Sequence, residues 1–363
     1  MAVACGIIGL PNVGKSTLFN ALTSVIAKAS NFPFCTVEPN IGIVEVYDPR
    51  LEALSKISKS KDILYATTKF VDIAGLVKGA SRGEGLGNKF LGNIREVDAI
   101  IHVLRAFRDE NVIHVGGKVD PIEDLEIVNL ELVLADLQMA EQLSDRLQKE
   151  ARGKKELQPQ LEIVLRAKAH LEKSLPIHSM ELDDEERELL RKTPFLTSKP
   201  VLYVANIDEE DLEGGDNPHV KRIREYAESH GQQLITLCAR IEEEIHQLPK
   251  GEQQEFLESL GLEESGLNRL IRASFELLGL QTFLTTGEME TRAWTISKGT
   301  SAAEAAGKIH TDIQRGFIRA EVISYDDFVR CGGRVGAREA GVARAEGKQY
   351  IVQDGDVILF LHN

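Results

Sequence analysis

The stretch Gly9-Leu-Pro-Asn-Val-Gly-Lys-Ser16 is the part of the chain that decides its fold. It matches the pattern G-x-x-x-x-G-K-[ST] in full, follows the apolar run 3–8 and precedes the helically spaced residues 16–22. A strand, a glycine-rich turn and a helix in this order suit an anion, because the backbone N–H groups and the helix N-terminus face the same point. The stretch therefore predicts a phosphate-binding loop.

The loop supplies the first candidate nucleotide-binding residues, which are Asn12, Val13, Gly14, Lys15, Ser16 and Thr17. In loops of this kind the lysine bridges the β- and γ-phosphates, and the serine hydroxyl ligates Mg²⁺. We therefore expect Mg²⁺ as the cofactor, Ser16 as one of its ligands, and a part for Lys15 in catalysis as well as in binding.

A second motif, Phe70-Val-Asp72-Ile-Ala-Gly75, ends a predicted strand with D-x-x-G. Its aspartate is suited to the Mg²⁺ shell, and the Gly75 N–H is suited to the γ-phosphate. The glycine-rich residues 78–87 follow, which favours a γ-phosphate-sensing switch over an ordinary turn at a strand end. Between the two motifs, Thr36 is the candidate hydroxyl of a first switch and a third Mg²⁺ ligand. Cys35 beside it is either redox-active or an inert small residue.

Strands are predicted at 42–46, 68–71, 99–103 and 201–204, with helical stretches between several of them. This alternation predicts a doubly wound, mostly parallel α/β sheet. From 124 to 193 the pattern changes to two long amphipathic helices, with a first apolar stripe at Leu130, Leu134, Leu137, Ala140, Leu143 and Leu147. The stripes favour an inserted helical hairpin over two helices lying flat on the sheet.

A third segment begins near Gly279. Predicted strands at 291–296, 319–323, 349–352 and 357–361 surround one predicted helix at 301–313, which indicates an α+β module. The predicted domains are thus a nucleotide-binding domain (1–128 and 197–278), a helical insertion (129–196) and a C-terminal domain (279–363).

The composition narrows the class of protein. The 43 Lys and Arg against 57 Asp and Glu give a net charge of −14, which excludes a polybasic nucleic-acid coat protein, and we expect no DNA partner. The four cysteines form no C-x-x-C pair, so neither a disulfide framework nor a zinc site is expected. No apolar run approaches the length of a membrane span, and the first residues lack a basic leader. We therefore expect a cytoplasmic protein with no membrane partner.

The base specificity depends on Asn206-Ile-Asp-Glu209, which follows the predicted strand at 201–204. Guanine-specific proteins have N-K-x-D here, and the aspartate accepts from the guanine N1–H and N2–H₂. In this chain Ile207 replaces the lysine and Glu209 replaces the aspartate, while Asn206 could pair with adenine N6 and N7. The residues favour ATP over GTP, although Asp208 and Glu209 could also be solvated loop acids. Cys238 stands where a loop backing the base is expected.

These motifs, with the continuation D-I-A-G-L-V-K-G-A-S-R-G-E-G-L-G-N-K-F-L at 72–91, closely resemble the YchF group of Obg-like ATPases in the TRAFAC class. The resemblance covers essentially the whole chain. It implies a GTPase-type α/β domain, an inserted coiled coil and a C-terminal TGS domain of the β-grasp type, to which 299–313 and 353–360 are similar. It also implies an ATPase whose partners are ATP and the ribosome, including ribosomal RNA.

The residue that orients the attacking water is not where Ras-type enzymes have it. A glutamine follows their D-x-x-G, whereas this chain has Leu76. The resemblance implies that His114, in the glycine-flanked segment 111–117, is catalytic. From the residues alone a packing or loop histidine is the alternative. A histidine with the reference pKa of about 6.5 is neutral at pH 7 and can accept a hydrogen bond from water.

Two further functions remain open at this point: an interaction protein in which nucleotide binding sets the conformation and hydrolysis is incidental, and a protein that uses GTP. The ribosome-contacting surface is expected on the C-terminal module together with the helical hairpin. Arg330, Arg334 and Arg338 recur at four-residue spacing there. Scattered solvated charges are the other interpretation of these arginines.

Overall fold

The structure, a computed structural model, describes residues 3–27, 40–73, 86–109, 119–191 and 193–363, without the side chains of 24–27, 86–89, 191 and 250. The predictions made for Cys35, Thr36, Gly75, Leu76 and His114 lie outside these residues. The chain forms two compact units: residues 1–43 with 69–270, and residues 44–68 with 271–363.

The helices and strands of the first half are β1 (Ala4–Ile8), α1 (Lys15–Ala27), β2 (Ile41–Val46), α2 (Pro49–Ser58), β3 (Asp62–Leu64), β4 (Ala66–Asp72), α3 (Leu86–Arg95), β5 (Ala99–Arg105), α4 (Pro121–Glu150), α5 (Gln158–Leu171) and α6 (Asp184–Arg191). Those of the second half are β6 (Val201–Asn206), α7 (Asp211–Gly214), α8 (Pro218–Ser229), β7 (Gln233–Leu237), α9 (Ala239–Gln247), α10 (Lys250–Ser259), α11 (Gly266–Leu277), β8 (Leu280–Thr286), β9 (Glu290–Ser297), α12 (Ala302–Ile309), α13 (Thr311–Arg315), β10 (Phe317–Ile323), α14 (Tyr325–Arg330), α15 (Arg334–Glu339), β11 (Arg344–Glu346) and β12 (Val357–His362).

The first sheet confirms the predicted doubly wound architecture. Its strand order is β2-β4-β1-β5-β6-β7, and β1 pairs in parallel with β4 on one side and with β5 on the other. All five residues of β1 are buried, as expected for a central strand covered on both faces. The order of the strands along the chain changes from one side of β1 to the other, and ligands of such sheets bind beyond the carboxyl ends of the strands at this point. The loop after β1 is the predicted phosphate-binding loop.

The helical hairpin is also present. Its first arm, α4, has 30 residues and spans about 45 Å at 1.5 Å per residue. Asp120 caps it by accepting from the N–H groups of Ile122 and Glu123. Part of the predicted apolar stripe is wrong, because Leu130 and Leu134 are exposed. The buried face of α4 and α5 is instead formed by Val128, Leu132, Val133, Ala140, Leu147, Leu161, Ile163, Val164, Ala167 and Leu171.

The C-terminal unit contains a second sheet in the order β11-β10-β12-β8-β9-β3. Helix α12 is capped at Ser301 by a capping box with Glu304 and packs with Phe283, Phe317 and Phe360 in one core cluster. Two predictions are wrong here. Residues 349–352 contribute only the isolated bridge between Ser301 and Ile351, and the single predicted helix is divided at His310, whose backbone is extended.

Residues 44–68 belong to this unit, although they lie between the two phosphate motifs in the sequence. β3 pairs in parallel with β9, with Asp62 opposite Glu290 and Leu64 opposite Arg292. Arg50 of α2 bonds both oxygens of Asp48 and donates to Asp354 over 2.8 Å. No motif or composition change in residues 44–68 indicates this grouping, and the predicted domain boundaries stay a prediction.

Candidate nucleotide-binding site

The backbone of residues 9–16 has the conformation that the glycines predict. Asn12 has a φ of 65° and Gly14 a φ of 90°, both in the left-handed region. A Cβ on Gly14 would lie 2.1 Å from Asn206 Nδ2, and one on Gly9 would lie 2.8 Å from the Val103 carbonyl oxygen. Neither position has room for a side chain, so the tight curl of the loop depends on these two glycines.

The curl ends at the N-terminus of α1, whose first turn contains no acidic residue. Leu18 N–H donates to the Gly14 carbonyl over 2.9 Å, which closes the first helical turn. The earlier N–H groups of a helix have no carbonyl partner within it, and together with the helix dipole they favour an anion. Ser16 is exposed at this end, whereas Thr17 is half-buried. The helix start therefore presents donors and a hydroxyl to the same point.

Lys15 and Asp72 bring the two phosphate motifs together. Lys15 is buried, and its ammonium forms an ion pair with the Asp72 carboxylate at the end of β4. The register explains the meeting, because Asp72 is the partner of Ile7 in the parallel pairing of β4 with β1. The structure thus places one positive group and one carboxylate side by side at the carboxyl end of the sheet. A triphosphate would draw the ammonium towards its own oxygens and free the carboxylate.

Asn206, the last residue of β6, links the phosphate loop to the base end. Its Nδ2 donates to the Val13 carbonyl over 3.0 Å, and its Oδ1 accepts from Ala239 N–H over 2.9 Å. Both polar atoms of the amide are therefore already engaged. These bonds give Asn206 a positioning role between the phosphate loop and α9. Each polar atom of the amide keeps one further N–H or lone pair, so the adenine contact suggested by the sequence stays a prediction.

The other residues of the base motif differ in exposure. Ile207 is only 4 % exposed and its side chain belongs to the core cluster that contains Val220 and Ile223. The carboxylate of Asp208 accepts from Arg108 N–H over 2.7 Å. Cys238 is buried just before α9, and burial raises the pKa of its thiol. Glu209 is the residue of this motif whose side chain is half-exposed, and it pairs with Arg240.

A polar cavity of about 550 Å³ lies at the carboxyl ends of β6 and β7. Its wall includes Arg108, Asp208, Glu209, Asp216 and Arg240. Arg240, in the first turn of α9, donates to Glu209 Oε2 over 3.1 Å, and this bond raises the pKa of the guanidinium. The sequence analysis missed Arg240. Its signal was present, because it follows the predicted base-backing Cys238 by two residues.

The remaining candidates, Thr36, Gly75 and His114, lie outside the described residues and stay predictions. Within the described ranges, no group of three or more His, Cys, Asp or Glu side chains is arranged to hold a metal ion. Two Mg²⁺ candidates are described, namely the Ser16 hydroxyl and the Asp72 carboxylate. None of the described helices combines the length and apolarity needed to cross a membrane.

Two family models match the chain. The family described as a 50S ribosome-binding GTPase, MMR_HSR1, matches residues 4–140. The family YchF-GTPase_C, described as a protein of unknown function (DUF933), matches residues 280–363.

Full-length relatives agree with both matches. Proteins named "Ribosome-binding ATPase YchF" are 53 % identical in Bacillus subtilis and 54 % identical in Haemophilus influenzae, and each alignment covers 100 % of both chains. The solved structure of the YchF GTPase from Schizosaccharomyces pombe has a TM-score of 0.90 and 36 % identity, over 99 % of this chain and 97 % of that one.

Proposed function

This chain belongs to the YchF family, and we propose that it is a ribosome-associated ATPase that hydrolyses ATP in preference to GTP and couples its nucleotide state to ribosome contact. The observation that carries the proposal is the meeting of Lys15 and Asp72 at the start of α1. A buried lysine beside a carboxylate, at a helix N-terminus without acids, is suited to a nucleotide triphosphate. The predicted cytoplasmic location stays a prediction.

The described oxygen donors fit Mg²⁺. The cation prefers oxygen ligands and keeps several waters, so a hydroxyl and a carboxylate are a sufficient protein contribution. Ser16 and Asp72 would hold it, with Thr36 as the third candidate. When bound, Mg²⁺ neutralises charge on the β- and γ-phosphates. Lys15 binds the same phosphates and stabilises the negative charge that develops on the γ-phosphoryl group, while the loop N–H groups orient it.

Hydrolysis also needs an oriented water. We assign this role to His114, whose neutral imidazole accepts a hydrogen bond from the water that attacks the γ-phosphorus. The bond from phosphorus to the β,γ-bridging oxygen then breaks, and ADP leaves with that oxygen. The Gly75 N–H is the candidate donor to a γ-phosphate oxygen.

The side chains at the base end favour adenine over guanine as the base of the nucleotide. Asn206 ties the end of β6 to the phosphate loop, and Ile207 and Cys238 lie in one buried cluster behind the ends of β6 and β7. The exposed Glu209 is the residue that we assign to the base. The S. pombe relative is named a GTPase, so use of GTP is the second candidate function. The two are separated by the base preference, which the experiment below measures.

For the ribosome contact we propose the tip of the helical hairpin, defined as residues 145–157. It contains Arg146, Lys149, Arg152, Lys154 and Lys155 against three acids. All five cations are exposed. Arg146 pairs with Glu150, and within the described residues no ion pair joins the other four to an acid. Unpaired cations are the groups that neutralise RNA phosphates.

The C-terminal arginines expected to share this role are already paired. Arg334 and Arg338 both bond Glu321, over 2.8 and 2.7 Å, and Arg330 pairs with Asp327. The side chain of Arg334 is only 18 % exposed and lies over the Phe328 ring. These contacts hold α14 and α15 in place and leave less charge for a phosphate partner.

The test of the function is hydrolysis of ATP and of GTP, each with and without purified ribosomes, alongside cosedimentation. We expect ATP turnover to exceed GTP turnover, and ribosome binding to differ between the ATP and ADP states. Hydrolysis of neither nucleotide would make the chain an interaction protein, and faster GTP turnover would make it a GTPase.

The surface is tested separately. A variant with Lys149, Arg152, Lys154 and Lys155 changed to Ala should bind ribosomes more weakly, and its salt dependence should flatten by about 0.7–0.9 in logarithmic slope for each lost phosphate contact. The matched control, Arg330→Ala with Arg338→Ala, should keep the wild-type slope. If the tip variant keeps the wild-type slope and the arginine control loses it, the ribosome contact lies on the C-terminal unit.

A further inference from the structure

The Glu209–Arg240 ion pair lies on the wall of the polar cavity and is open to a ligand. The side chain of Arg240 is 69 % exposed and that of Glu209 is 48 % exposed. Arg240 Nη2 bonds Glu209 Oε2 over 3.1 Å, so that Oε1 of the same carboxylate remains available to a further donor. The carboxylate at the end of the base motif therefore lies directly beside a guanidinium.

Three of the four other acids of this wall have partners of their own. Asp208 accepts from Arg108 N–H, Asp216 pairs with Arg224, and Asp211 accepts from Asn217 Nδ2 over 2.7 Å. The fourth, Glu210, is exposed and forms no ion pair with the described residues. Among these acids Glu209 is the one that brings an acceptor and a guanidinium donor of this wall together.

The backbone fixes where the pair lies. Asn206 and Leu237 are opposite each other in the parallel pairing of β6 with β7, so the residues that follow the two strands lie side by side. The amide of Asn206 ties both segments to the phosphate loop through Val13 and Ala239. A nucleotide whose phosphates occupy that loop thus directs its base towards Glu209 and Arg240.

We propose that Arg240 is a specificity-determining residue, which with Glu209 recognises the adenine edge: the guanidinium donates to N1, and Glu209 Oε1 accepts from the N6 amine. This inference rests on the proposed function. Adenine presents an acceptor and a donor next to each other, and the pair presents the matching donor and acceptor. Guanine presents the reverse order, with the O6 acceptor at position 6 and the N1–H and N2–H₂ donors beyond it. Its two donors match a lone carboxylate, but they do not match a pair that has its acceptor at position 6 and its donor at position 1. Arg240 thus converts a carboxylate that would favour guanine into a reader of adenine.

The experiment measures dissociation constants for ATP, GTP and 1-deaza-ATP, which lacks the N1 acceptor, in the presence of Mg²⁺. The proteins are the wild type, Arg240→Ala, Arg240→Lys, and Arg222→Ala as the control. Arg222 is a comparable half-exposed arginine paired with an acid, Asp120, outside the cavity. All three variants keep the phosphate loop, so a general loss of structure would weaken the binding of every nucleotide equally.

We expect the wild type to bind ATP about tenfold more tightly than 1-deaza-ATP, the usual worth of one hydrogen bond from a charged and partly exposed donor. In Arg240→Ala the two should bind equally, and the preference for ATP over GTP should fall by about tenfold. Arg240→Lys, which keeps a cationic donor, should retain part of both differences. Arg222→Ala should match the wild type.

The outcomes separate this inference from the proposed function. If the wild type prefers ATP but Arg240→Ala keeps both that preference and the sensitivity to N1, Arg240 does not read the base and only the inference fails. If the wild type binds GTP as tightly as ATP, the ATP preference fails together with the inference.

Discussion

The phosphate end of the site, residues 9–16 with Asp72, and the base end, residues 206–209 with 238–240, differ in what shapes them. At the phosphate end the backbone curls because Gly9 and Gly14 admit no Cβ. At the base end, an exposed side chain of the loop after β6 and one of the first turn of α9 meet in an ion pair. The backbone N–H groups of the loop contact a triphosphate in the same way whichever base it carries. Side-chain donors and acceptors, by contrast, distinguish one base from another.

This difference has a consequence for variants. Substitutions at the phosphate end should change the affinities for ATP and GTP by the same factor. Substitutions at the base end should change the ratio of the two affinities. Asn206 joins the two ends and should behave like the phosphate end, because its bonds go to Val13 and Ala239.

The largest effect is expected for Lys15→Ala. The substitution removes a charge that contacts the ground-state phosphates, and a lost charged partner of this kind costs about 2–5 kcal/mol. Affinity should therefore fall by about 10²–10³-fold, equally for ATP and GTP, and turnover should fall with it. Titration calorimetry with both nucleotides measures this, with the exposed Lys173→Ala as the control. A change in the ratio between the nucleotides would contradict the division of the site.

The next effect is expected for His114→Ala. Loss of a water-orienting group lowers turnover by about 10²–10⁴-fold, while the affinity for ATP stays close to that of the wild type. Single-turnover hydrolysis together with binding measurements separates the two quantities. His170→Ala is a suitable control, because His170 is a half-buried histidine at the end of α5 whose ring bonds the Ser179 hydroxyl. If His114→Ala weakens binding and leaves the chemical step unchanged, His114 is not catalytic.

The phosphate end could be predicted from the sequence in more detail than the base end, and the reason is physical. The phosphate loop is contiguous, so its residue types alone determine the backbone that the structure shows at Asn12 and Gly14. Arg240 and Glu209 are separated by β7 and meet only because β6 and β7 pair in parallel. No local sequence pattern predicts a contact that depends on how two strands pair.

The same reason explains the errors in the fold. Three residues, Asp62–Leu64, cannot signal a strand until the partner β9 is known. Residues 349–352 have the composition of a strand, yet only Ile351 has a bridge partner. Leu130 fits the 3.6-residue period of α4, but the buried face of that helix is decided by the helices packed against it.

A smaller effect is expected for Asn206→Ala. It leaves the Val13 carbonyl and the Ala239 N–H without their partner, at about 1–3 kcal/mol for each buried group. The free energy of unfolding should fall by about 2–5 kcal/mol, and ATP and GTP should weaken equally. Urea denaturation and calorimetry measure both, with Asn129→Ala, whose amide contacts only the Tyr226 hydroxyl among the bonds described, as the control. A selective loss of ATP would restore the direct adenine contact.

The smallest effect is expected for Glu209→Asp, which moves the carboxylate back by one methylene from the 3.1 Å bond to Arg240. A carboxylate released from the guanidinium accepts from both donors of guanine, so the ratio of ATP to GTP affinity should shift towards GTP by about three- to tenfold.

The sequence suggested adding Ile207→Lys to complete the guanine motif, with a further shift towards GTP. Ile207 is only 4 % exposed among Val220 and Ile223, so a lysine there must extend its ammonium past the core. We therefore expect the double variant to lose about 1–3 kcal/mol of stability while its base ratio matches that of Glu209→Asp alone. Equilibrium binding of both nucleotides and urea denaturation of the single and double variants measure this. A double variant that stays as stable as the wild type and prefers GTP more than the single variant does would place the side chain of residue 207 against the base.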